Sequence, residues 1–246
     1  MTRRILPLAP LGFWLAIASA TALALSPIGY RFGWWNVRVA LLYLVTGGVA
    51  LAIVALIISA IALLKAKART DKRAVILALV SIGLSLGFAG LPIAQVIKSR
   101  AAPHIHDIST DTESPPTFIA LAEIRTRAPN GLAYHAEVAL QQKQAYPEIL
   151  PFQSRLPADQ LFNNAVAVAQ DMKWEIVAIA RNEGRMEATD TTLLYGFKDD
   201  VVIRVKIADH GSQLDVRSMS RVGLSDMGVN AARIRTFLAR LQASGA

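Results

Sequence analysis

The stretch DVRSMSRVGLSDMGVNAARIR, residues 215–235, holds four arginines, three serines and two aspartates. A guanidinium is a planar fork that matches a carboxylate or a phosphate two bonds at a time. A helix start adds free backbone N–H groups that favour an anion. Arg204, Arg217, Arg221 and Ser225 therefore form a candidate anion site. The competing reading makes the same arginines internal ion-pair partners, with Ser225 or Asp226 simply capping the last helix.

Strand register sharpens this choice. Residues 199–208 and 212–221 read as a hairpin around ADHGS, with Gly211 at the turn. Matching their apolar faces predicts the pairs Ile207–Leu214, Val205–Val216 and Ile203–Ser218. The other face then pairs Lys206 with Asp215, Asp200 with Arg221, and Arg204 with Arg217. Like charges directly opposite are destabilising. Glu187 or Asp190 from the neighbouring strand, or a bound anion, should neutralise the two arginines.

Other residues carry weaker chemical signals. PHIHDISTD sets His104 and His106 two apart, followed by Asp107 and Asp111. Imidazole with carboxylate can bind zinc, but these side chains more simply fix a turn by bonding nearby backbone. Asp199 and Asp200 are adjacent on a strand and so point to opposite faces, which argues against joint acid–base work. GxSxG, HExxH and a phosphate-cradling glycine loop are all absent from the sequence. There is no cysteine, which removes disulfides, thiolate metal sites and a thiol nucleophile. No metal and no cofactor are expected.

The elements that position these residues lie in the last hundred residues. Residues 156–172 read as a helix with Leu161, Ala165, Val168 and Met172 on one face. Four strands follow, WEIVAIA, RMEATDTTLL, DDVVIRVKIA and SQLDVRSMSR, and then a helix with Ile234, Phe237, Leu238 and Leu241. The order α-β-β-β-β-α predicts an α+β domain, a four-stranded antiparallel sheet with two flanking helices on one face. Residues 152–246 form that domain. Residues 101–151 read as an extended linker leading into it, with FIALAEIR as a short strand or helical turn.

The first hundred residues differ in kind. Residues 11–30, 39–64 and 74–97 are uncharged runs, and about 20 apolar residues cross a bilayer as a helix. A three-helix transmembrane anchor is expected over residues 1–100. Arg3, Arg4 and the loop KAKARTDKR are basic, whereas the first loop holds only Arg31 and Arg38. Basic segments stay inside. The N-terminus is thus expected in the cytoplasm and the C-terminal domain outside, in the periplasm of a two-membrane bacterium. Aromatics in GYRFGWWNVR suit the interface. The first run also resembles a signal peptide, and cleavage would leave the domain on the same side. Gly83 and Gly87 form a small-xxx-small pair, expected to pack against the second span.

Charge follows the same division. Residues 1–100 carry 11 Lys/Arg against Asp71 alone, a net of +10, and the remainder carries 15 against 17, a net of −2. The basic excess belongs to the membrane half, so nucleic acid is not an expected partner.

The strings IHDISTDT…PP.F, EATDTT…GFKDDVVIRV and DVRSMSRVGLSDMGVNAARIR together resemble the domain of unknown function 1499 family, over about residues 103–242. The three-span N-terminus is similar to its membrane-anchored bacterial members. The resemblance implies an envelope protein and supplies no catalytic residues. It marks His106, Asp107, Ser109, Thr110 and Asp111 in the first string. In the second it marks Glu187, Asp190, Thr191, Asp199, Asp200 and Arg204. In the third it marks Arg217, Ser218, Ser220, Arg221, Ser225, Asp226, Asn230 and Arg233.

The resulting expectation is an inner-membrane protein whose outer domain binds or scaffolds. Its partners are the bilayer itself and an envelope protein or an anionic lipid or glycan. The alternative is a lipid- or glycan-modifying hydrolase using Asp and His. A cleft gathering His106, Asp107, Asp111 and Asp190 would favour that alternative.

Overall fold

The computed structural model of the protein describes residues 7–68, 71–100 and 102–246. Arg3, Arg4 and Arg69 of the orientation argument lie outside the described residues. The chain divides into two compact units, Met1–Lys98 and Ser99–Ala246.

The first unit is built of apolar helices. Helix α1 spans Leu8–Arg31, a π-helical segment Val39–Val45 runs into α2 (Thr46–Ala68), and α3 spans Lys72–Ser99. These make three segments of 24, 28 and 26 residues that are long and apolar enough to cross a membrane. Serines cross-link them. Ser81 Oγ donates to Gly12 O at 2.9 Å and Ser59 Oγ to Ser81 Oγ at 2.7 Å, joining all three helices. Ser19 Oγ donates to Gly48 O at 2.7 Å. Between α1 and the π segment, the Trp35 ring lies against Gly29, where a Cβ would meet ring carbons at 2.1 Å. The glycine pair does not pack as the sequence suggested. Among the described residues, nothing lies within 4 Å of a Cβ placed at Gly83 or Gly87. Ala78, Ser81, Ser85 and Ala89 are the buried small residues of α3 instead. Hydrogen bonding through Ser81 favours that face over a smooth glycine stripe.

The second unit is an antiparallel sheet with helices, and the sheet has six strands rather than the four expected. The strands are β1 (Asp107–Ser109), β2 (Phe152–Ser154), β3 (Glu175–Ala180), β4 (Arg185–Thr191), β5 (Lys198–Ala208) and β6 (Gly211–Ser220). Their order is β1-β6-β5-β4-β3, and β2 pairs with β6 as well. β1 lies along Arg217–Met219 and β2 along Ser212–Leu214, so two short pieces share one edge of β6. The helices are α4 (Ala122–Thr126), α5 (Ala136–Ala145), α6 (Ala158–Asp171) and α7 (Val229–Ala243).

The β5–β6 register differs from expectation by two residues. The observed pairs are Val205–Leu214, Ile203–Val216 and Val201–Ser218, with Arg204 opposite Asp215 and Arg217 opposite Val202. Arg204 and Arg217 share a face but are not opposite each other. Ala208 pairs with Gly211, so Asp209 and His210 alone form the loop. Gly211 has φ +127°, and a Cβ there would meet Ser154 O at 2.2 Å. The glycine is required after the loop, where β2 approaches, rather than inside it.

One sheet face builds the main core. Met186, Ala188, Val201, Ile203, Val205, Leu214 and Val216 meet Leu161, Phe162 and Ala165 of α6 and Ile234, Phe237 and Leu241 of α7. Trp174 stacks on Phe237 with ring centres 5.3 Å apart. The other face is covered over its middle. Phe118, Leu121 and Leu132 cover Val202 and Met219. The segment expected to be an extended linker, residues 101–151, therefore supplies the strand β1, the helices α4 and α5 and a lid for this face.

Candidate functional site

Under the lid, the polar face of the sheet is an ion-pair network. Arg217 meets Asp107 twice, Nε to Oδ1 at 3.0 Å and Nη2 to Oδ2 at 2.8 Å. Its remaining N–H groups donate to the carbonyls of Pro116 and Leu132. Its Cζ lies 5.3 Å from the ring centres of both Phe118 and Tyr134. Arg221 holds both carboxylate oxygens of Asp200, at 3.0 and 2.8 Å, and reaches Thr189. Arg125, whose side chain is 0% exposed, meets Asp200 from the other side at 2.7 Å. Arg204 donates to Asp215 at 2.8 Å, to Asp111 at 3.0 Å and to Ser114 O.

The four expected anion ligands thus do not converge. Each of Arg204, Arg217 and Arg221 closes on carboxylates of the chain itself. Their partners are Asp215 and Asp111, Asp107, and Asp200, rather than Glu187 or Asp190. Ser225 stands apart, with its hydroxyl on Pro103 O at 3.3 Å.

Glu187 has a different role. Its carboxylate accepts the backbone N–H groups of Ile119, Ala120 and Leu121 at 2.9, 3.0 and 2.8 Å, and it also pairs with Arg185. It anchors the lid to the sheet. Asp111 accepts from the N–H groups of Glu113 and Ser114, which fixes a turn as anticipated for PHIHDISTD. Gln142 completes the edge, since its amide accepts from Ser109 N at 2.9 Å and donates to Ser109 O at 2.6 Å. A side-chain amide here takes the place of a further strand.

A second polar cluster lies on the core face, where β6 ends and α7 begins. Arg233 donates to Asp190 at 2.8 Å, to Asp199 at 2.6 Å and to Ser218 Oγ at 3.0 Å. Asp190 and Asp199 are neighbours across β4 and β5. Ser218 Oγ donates to Asn230 Oδ1 at 2.7 Å. Asn230 Nδ2 reaches His106 O and Ser220 Oγ, each at 3.0 Å. Asp226 receives Gly228 N at 3.0 Å and Asn230 N at 2.5 Å, so it caps α7 from two residues ahead of Gly228. Residues marked in all three sequence strings therefore meet here.

Electrostatics distinguish the groups. Burial drives the Asp226 carboxyl above the ordinary aspartate value, and the two backbone N–H groups and Arg233 only partly offset it. His106 is pushed below the ordinary histidine value, first by burial, against the opposing field of Asp107. Its ring Nδ1 is buried and makes no hydrogen bond among the described residues. Burial would raise Asp200, but bonds from Arg221 and Thr189 and the charges of Arg221 and Arg125 prevail, leaving it low. Burial lowers Arg125 against the pull of Asp200.

The four carboxyl and imidazole groups that would mark a hydrolytic cleft are distributed instead. Asp107 and Asp111 lie on the lid side with Arg217 and Arg204. Asp190 lies on the α7 side with Arg233. His106 joins that side through its backbone. Among the described residues, no group of three or more His, Asp or Glu gathers as a metal site. Sequence reasoning missed Arg125 and Gln142, because their partners are remote in the chain and no spacing signals them.

A family model described as protein of unknown function (DUF1499) matches residues 107–241. It begins at β1 and ends within α7, so it covers the lid, both polar clusters and the whole sheet. No curated protein matches the chain.

Proposed function

We propose that this chain, which belongs to the DUF1499 family, is a membrane-anchored binding or scaffold protein of the bacterial envelope. Its apolar helices hold it in the inner membrane, and its α+β domain works from the periplasmic side through its outer surface. The location rests on the basic residues in the second loop and at the N-terminus. The binding role rests on one observation. Arg204, Arg217, Arg221 and Arg233 each hold carboxylates of the same chain. Residues that could have gripped a ligand are committed to joining β1, the lid and α7 to the sheet. Partner recognition is then left to exposed side chains, and an envelope protein or an anionic lipid or glycan is the class of partner.

A second reading keeps one observation of its own. The His106 ring has a buried nitrogen that makes no hydrogen bond among the described residues, and it lies in the field of Asp226, whose carboxyl is raised. Groups with displaced pKa values favour acid–base work. A hydrolase acting on envelope lipid or glycan would draw on these two.

Native mass spectrometry of the full chain released from nanodiscs separates the readings. A protein or glycan retained in fixed stoichiometry supports the binding module. Turnover of labelled envelope lipid or glycan that Asp226→Asn abolishes supports the hydrolase.

A further inference from the structure

Apolar side chains are exposed at one end of the second unit. Leu193 is 93% exposed and Leu194 63% in the β4–β5 loop, and Leu224 is 85% exposed in the β6–α7 loop. The two loops are neighbours, because Asp199 pairs with Ser220 and Arg221 N donates to Lys198 O at 3.0 Å. Within the β4–β5 loop Tyr195 and Phe197 stack in parallel, ring centres 5.1 Å apart. Exposed leucines cost solubility and mark a contact surface when they cluster.

Chain connectivity says which end of the domain carries the tether. Helix α3 ends at Ser99. Ile105 O accepts Asp226 N at 3.1 Å and His106 O accepts Ser220 N at 2.9 Å, so residues 105–106 are bonded to the β6–α7 junction. The connection from Ser99 to Ile105 can extend no further than roughly 20 Å. The end of the domain that carries the exposed leucines is therefore the end tethered to the apolar helix.

We propose that the β4–β5 and β6–α7 loops dock in the lipid interface of the membrane that holds the helices, with Leu193, Leu194 and Leu224 entering the acyl boundary. The inference rests on the membrane-anchor reading above and adds the surface and its ligand. Leucines enter that boundary because burial removes apolar area from water. The tether makes the contact intramolecular, so a few leucines suffice where a free domain would need a larger apolar face. Docking would hold the sheet end against the bilayer and leave the β5–β6 turn, with Asp209 and His210, away from it.

The absence of cysteine makes the test direct. Single variants Leu194→Cys, Leu224→Cys and Ile207→Cys of the full chain carry an environment-sensitive fluorophore in phosphatidylcholine–phosphatidylglycerol vesicles containing doxyl lipids. Ile207 is exposed at the far end of β5 and serves as the reference. Unfolding curves matching the cysteine-free parent establish that each variant is folded. The proposal expects labels at 194 and 224 to shift to the blue and to be quenched several-fold more than the label at 207. Equal quenching at all three positions, or water-like emission at 194 and 224, overturns it. A blue shift without lipid quenching means a protein covers the loops, and also overturns it. Sidedness is read separately, from reaction of Ile207→Cys with an impermeant maleimide in intact cells. Reaction only after permeabilisation contradicts the periplasmic reading and leaves the loop result standing.

Discussion

Arg217 and Asp107 meet through two hydrogen bonds of 3.0 and 2.8 Å across 110 residues of sequence, with both side chains buried. The pair fastens a three-residue edge strand to β6, its neighbour in the sheet. A strand this short has too few ladder bonds to hold itself. The carboxylate also gives the buried guanidinium the partner it needs, since an unpaired buried charge is costly. The same logic recurs at Arg221 with Asp200 and at Arg233 with Asp199.

Glu187 tests whether the lid depends on the sheet. Its loss leaves the N–H groups of Ile119, Ala120 and Leu121 without their acceptor. Glu187→Ala is expected to destabilise the domain by about 2 kcal/mol, in keeping with the buried Leu121 N–H and two part-buried donors losing their acceptor. Hydrogen exchange at residues 119–121 should speed up more than exchange in β5. Unchanged protection at those amides would contradict the anchoring role.

Acid stability should report on Asp200. Its carboxyl is held low in the folded domain, so its contribution is fully present above the unfolded value, about 3.9. That contribution is lost as pH falls through the lower folded value. Denaturant midpoints followed from pH 7 downward should therefore drop in the wild type over that acid range. Asp200→Asn should start lower and show a shallower fall, since it has no proton to take up there. Parallel curves would contradict the assignment.

His106 should titrate below the usual histidine value, because burial outweighs its acidic neighbours. A folded-state value below the unfolded one makes its contribution present above about 6.5 and lost as pH falls through the folded value. Nuclear magnetic resonance of the imidazole, assigned through His106→Gln, is the measurement. A midpoint above the ordinary value would mean that Asp107 or Asp226 dominates instead.

Much of this architecture was legible in the sequence, for reasons that particular residues make plain. Residues 11–30 and 74–97 are long and apolar enough to cross a membrane, so the helices stood out. Strands β3 to β6 alternate or contain β-branched runs long enough to show a period. β1 and β2 have three residues each and show none, so only pairing with β6 reveals them. The hairpin parity was readable from the apolar faces, but its register depended on whether Gly211 stood inside the loop or after it. The close approach of Ser154 O decides that, and a contact with residue 154 has no local signature. The arginine partners were hidden for the same reason. Asp107 and Arg125 come from the segment whose turn residues and prolines read as a linker.

A double-mutant cycle on Asp107 and Arg217 tests most directly whether the arginines hold the fold rather than a ligand. Asp107→Asn and Arg217→Met are measured singly and together by denaturant unfolding of the full chain, alongside native mass spectra of each. The account predicts that either single change costs about 3 kcal/mol or more, because it strands a buried charge. The double change should cost clearly less than the two added together. An Arg217→Met protein of wild-type stability that has lost a bound phosphate, lipid or glycan anion would contradict the account.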